Sequence, residues 1–92
     1  MTPLALLHLA TGTAPTELER DEQVALAWSL AEELTSVGLW DAYERLRRTM
    51  PRGVGVMGCV ALGTLALAAR QAYRAGDRER VAACFGVRGR GW

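Results

Sequence analysis

Seventeen consecutive residues, 53–69, carry no charge, and an arginine stands at each end, Arg52 and Arg70. A stretch like this folds as a helix enclosed by other protein or as a helix enclosed by lipid. At about 1.5 Å per residue it reaches roughly 25 Å, the short end of what spans a bilayer. It is rich in small residues, among them Gly58, Ala61, Gly63, Ala66 and Ala69, which suit close helix packing in either setting. The rest of the chain favours protein. Two amphipathic helices elsewhere have apolar faces that need covering, and this segment is the natural partner for both. The expectation is a central helix buried on all sides, with Leu65 and Leu67 in the core or in a dimer contact. A membrane span over 53–69 is the alternative.

Glycine and proline punctuation sets the other elements. After an apolar lead-in, with a short helix expected beyond Pro3, the segment Thr11–Pro15 reads as a connector. Thr16 with Glu19 has capping-box spacing and predicts the start of a first long helix. Its apolar residues Val24, Ala27, Leu30, Ala31, Leu34 and Val37 recur at helical intervals. Gly38 is placed as a left-handed terminator. A second helix follows over about 40–49, with Trp40, Tyr43, Leu46 and Met50 as its apolar stripe, before the break at Pro51-Arg52-Gly53. The third helix runs to about Ala75 and stops at Gly76. Asp77 caps a last short helix ending near Phe85. The fold class is therefore all-α: a small antiparallel bundle of two αα-hairpins, about four helices plus the short N-terminal one. One domain is expected over 1–86, with an irregular tail over 87–92.

The helix–Gly–helix layout repeats at a displacement of 38 residues, around Gly38 and then Gly76. Residues 65–85 resemble a single tetratricopeptide-type hairpin in the Gly76-Asp77 turn and the position of Phe85. The resemblance covers under a quarter of the chain and lacks the large aromatic residue early in the first helix. Such solenoids need about three repeats or more, so the family is not assigned.

Charge divides the chain in two. Residues 1–44 hold eight acids against one base, Arg20, whereas residues 45–92 hold ten arginines against Asp77 and Glu79. The two sets have to be neutralised within the fold, between copies or on a partner. Part of the arginine excess is ancestral. The chain has no Lys, Asn or Ile, residues encoded by A/T-rich codons, which indicates a GC-rich and so bacterial origin. The N-terminus has no basic region of the secretory kind, and a cytoplasmic location is the corresponding expectation.

Catalytic chemistry is thinly supplied. The single histidine, His8, has no neighbour at metal-ligand or nucleophile-pair spacing, and Cys59 and Cys84 sit in apolar surroundings. Placed about nine residues apart along a hairpin turning at Gly76, the two cysteines are too distant for a disulfide. Residues 53–58 fit a phosphate-loop pattern in spelling alone, with no preceding strand. No cofactor, metal or catalytic residue is expected.

These observations lead to a non-enzymatic module for protein–protein interaction or self-association. Its acidic side would present Glu32 and Glu33. Its basic side would present Arg47, Arg48, Arg52, Arg74 and Arg78, with Trp40 as an apolar anchor. The partner is a protein or a second copy. A nucleic-acid-associated role through the arginine clusters is the alternative, and a small membrane protein the third.

Overall fold

A computed structural model of the chain describes residues 18–49 and 56–87, with side chains from residue 60 in the second stretch. Every regular element in it is helical, with no strand among the described residues. The helices are α1 (Arg20–Thr35), α2 (Leu39–Thr49), α3 (Val56–Arg74) and α4 (Arg78–Cys84). The expected N-terminal helix, Thr16, Pro51-Arg52-Gly53, Cys59's side chain and the tail from Arg88 lie outside the description.

The described part of α1 begins at Arg20, with Glu19 extended at the N-cap and making no side-chain capping bond. A Glu oxygen sits one methylene too far out for the reach that Asp or Ser has there. Gln23 fastens the preceding residue to the first turn, its side-chain amide donating to the Leu18 carbonyl at 3.0 Å.

The second hairpin closes as its sequence indicates. Gly76 has φ +71°. Its N–H donates to the Tyr73 carbonyl, and that of Asp77 donates to Ala72, the paired bonds of a Schellman ending. Asp77 then caps α4 through its carboxylate, which accepts from the Arg80 N–H at 3.0 Å. The same ending recurs at Gly86, φ +78°, where Val87 donates to Ala82 and Gly86 to Ala83.

Gly38 departs from expectation. It does not have positive φ and belongs to the start of α2, its carbonyl accepting from the Ala42 N–H at 2.9 Å. The 38-residue repeat is thus one of spacing and not of backbone conformation. The end of α1 is satisfied by other donors. Thr35 and Ser36 hydroxyls donate to Ala31 and Glu33 carbonyls. Arg70, reaching across from α3, donates to the Leu34 carbonyl at 3.2 Å and to that of Val37.

The core draws on all four helices. Ala27, Leu30, Ala31 and Leu34 of α1 meet Ala42 and Leu46 of α2, Leu62, Ala66, Ala69 and Ala72 of α3, and Val81 and Ala82 of α4, closed by Phe85 and Val87. Half of these are alanine, so the helices approach closely. Contacts walk in opposite senses along the two long helices. From Arg70 to Tyr73 along α3, the partners on α1 retreat from Leu34 to Trp28, and Glu79 of α4 meets Arg20 at the start of α1.

The central helix is not buried all round. Val60 and Leu67 are 56% and 45% exposed and share a surface stripe with Thr64, Gln71 and Arg74. Leu65 packs against the core, but Leu67 faces outward. The buried stripe of α3 follows Leu62, Ala66, Ala69 and Ala72, and Leu67 stands well over 90° away from it at ~100° per residue. Leu67→Ala should accordingly change stability by less than about 0.5 kcal/mol in urea denaturation. No described helix is long and apolar enough to cross a membrane.

Candidate docking surface on the second helix

Helix α2 buries Ala42 and Leu46 and turns Trp40, Asp41, Arg47 and Arg48 outward. The expected apolar stripe Trp40, Tyr43, Leu46 and Met50, the last outside the described residues, is therefore split. Leu46 is in the core, Tyr43 lies at its margin, and Trp40 is 70% exposed. The Trp40 ring is supported from beneath by Tyr43, with centroids 5.4 Å apart and planes tilted by 35°. Leu39, 44% exposed, extends this apolar shoulder at the helix start. A large ring held in place by a neighbour but left open to solvent has the features of an interface anchor.

The charges predicted to form two patches separate into used and unused groups. Glu33 accepts from Arg45 at 2.6 Å, joining α1 to α2. Arg47 lies along Glu44 of its own helix, 3.3 and 3.2 Å away at two nitrogens. Arg78 covers the Trp28 ring at 5.1 Å, and Trp28 in turn meets Tyr73 at 4.6 Å. Arg20, the lone base of the acidic half, pairs with Glu79, one of two acids in the basic half. The two exceptions to the charge split thus find each other and tie α1 to α4.

What remains is a smaller set. Among the described residues, Glu19, Asp21, Glu22, Glu32, Asp41 and Asp77 are exposed acids without an ion pair, and Arg48, Arg74, Arg78 and Arg80 are exposed bases without one. The exposed pairs are worth little individually, about 0–1 kcal/mol each. They set geometry more than they add stability.

The predicted surface residues do not assemble into one site. Glu32 and Glu33 lie on α1, Trp40, Arg47 and Arg48 on α2, Arg74 at the end of α3 and Arg78 at the start of α4, and Arg52 is outside the description. Trp40, Arg47 and Arg48 do share the outer side of α2. Asp41 belongs with them, since Arg45, four residues on, reaches Glu33 and not Asp41. Arg70, which flanks the uncharged run, is buried at 8% exposed and takes no part in this surface.

Cys84 carries a free thiol, partly buried. Burial pushes its pKa up, against a smaller opposing pull from Arg80, which keeps it protonated at neutral pH and a poor nucleophile. Among the described residues no three His, Cys, Asp or Glu side chains gather as metal ligands. Set against protein-family models, curated proteins and solved structures, the chain matches none of them.

Proposed function

We propose that this chain is a small non-enzymatic interaction module that docks on protein through the outer side of α2. One observation carries the reading: Trp40 is held by Tyr43 and left 70% exposed beside Leu39. Burying such a ring and its aliphatic neighbour supplies affinity. Asp41 and Arg48, unpaired on the same side, supply orientation and encounter rate. Composition supports a bacterial origin, and a cytoplasmic setting is proposed with it. The nucleic-acid alternative has less behind it, because Arg45, Arg47, Arg70 and Arg78 are engaged within the chain.

A photoreactive phenylalanine analogue placed at position 40, and in a control at Ala25 on the wet side of α1, tests the reading in producing cells. The expected result is a discrete protein adduct from position 40 and none from position 25. Equal labelling from both positions, or none from 40, overturns it. Transfer of the label to nucleic acid supports the alternative instead.

A further inference from the structure

Along the outer side of α2 the unpaired charges have an order. Asp41 lies near the helix start and Arg48 seven residues on, near its end. Seven residues are about two turns, so both side chains point in nearly the same direction roughly 10 Å apart. Between them the surface is already neutral, since Glu44 is held by Arg47 and Arg45 by Glu33. A helix face that runs from acid through neutral to base is complementary to itself when reversed.

We infer that the partner seated on α2 is a second copy of this chain, with the two α2 helices antiparallel about a two-fold axis near Glu44 and Arg45. This rests on the docking reading above and names its occupant. In a two-fold pair the same patch is used twice. Opposing the helix midpoints brings Asp41 to the partner's Arg48, and Arg48 to the partner's Asp41, in one register. Trp40 then packs at each end of the seam against the last turn of the partner's α2, opposite the partner's Thr49 in the same register. A parallel pair would set Asp41 against Asp41 and Arg48 against Arg48, which is repulsive, so the charge order selects the direction as well as the partner. An eleven-residue helix covers less than the ~800 Å² per partner of a standard interface, so the dimer is weak and reversible.

Sedimentation of the purified full chain across a concentration series tests this. The parent is expected to form a dimer that dissociates between about 0.1 M and 1 M salt, as the Debye length falls from ~10 Å to ~3 Å. Asp41→Arg and Arg48→Asp should each weaken it about tenfold or more, because each replaces two attractions by two repulsions. The double variant Asp41→Arg/Arg48→Asp restores both attractions and should bring the dimer back to within about threefold of the parent. Circular dichroism verifies that each variant keeps its helix content. A parent dimer that the double variant does not restore overturns the antiparallel α2 pairing. A parent that stays monomeric at low salt overturns the second copy as occupant. If position 40 then still crosslinks specifically to a different protein, the docking reading stands without it.

Discussion

Phe85→Ala should unfold this domain more readily than any other single truncation, at a cost of about 3–5 kcal/mol. Phe85 is fully buried and is the largest side chain in that condition. Its position explains the size of the effect. Helix α4 has seven residues, too few to hold as a helix without tertiary contacts. Asp77 secures one end, and at the other Phe85 donates its N–H to Ala82 while Gly86 and Val87 complete the turn. The side chain joins Val81, Ala82 and Val87 in the core shared with α1 and α3, so removing it opens a void where three helices meet. A domain of this size loses about 4–8 °C per kcal/mol, which puts the melting midpoint roughly 12–40 °C below that of the parent. Phe85→Leu refills most of the volume and should cost less than about 1.5–2 kcal/mol. Thermal melts by circular dichroism measure both. A Phe85→Ala protein melting within about 4 °C of the parent would mean that α4 contributes little to the core.

How much of this could be read from the chain depends on where the deciding information lies. The break beside Gly76 and the Asp77 cap are local, and the structure has them as expected, whereas the left-handed terminator falls at Gly76 and not at Gly38. The apolar interval Ala27, Leu30, Ala31, Leu34 is local too and matches the buried side of α1. The stripe of α3 was not legible. A run without charge has no polar side to contrast, so Leu62 and Leu67 look alike in sequence and separate once Ala42 and Leu46 of α2 lie against one of them. Charge partners were illegible for a related reason. Arg20 and Glu79 are 59 residues apart, and nothing in either neighbourhood specifies the other. On α2, the split between buried Leu46 and exposed Trp40 follows from how α2 leans on α3, so the docking shoulder could be suspected but not outlined.

Gly38 is not a left-handed terminator, and carbonyls at the end of α1 are met instead by a residue more than thirty positions away, which yields the second large effect. Arg70→Met should destabilise the domain by about 2–4 kcal/mol, although it removes a charge from a buried site. Burying a guanidinium is costly unless its donors are satisfied. Arg70 meets this condition in part, and without a carboxylate: one terminal nitrogen donates to both the Leu34 and Val37 carbonyls at the end of α1. Those carbonyls carry the negative end of the helix dipole, so the cation is favourably placed. Methionine fills similar space and donates nothing, leaving acceptors with a penalty of about 1–3 kcal/mol for each one left unpaired. Arg70→Lys keeps the charge but offers a compact, strongly hydrated ammonium in place of a planar fork, and should fall between the two. Salt distinguishes this contact from the surface pairs. The loss on Arg70→Met should be nearly the same at about 0.1 M and 1 M salt, because buried interactions are weakly screened. The much smaller loss on Arg45→Met, whose pair with Glu33 is exposed, should fade. Urea denaturation of the three variants at both salt concentrations measures this. If Arg70→Met proved as stable as the parent, the end of α1 would not depend on α3, and the substitution of an arginine for a glycine cap would be wrong.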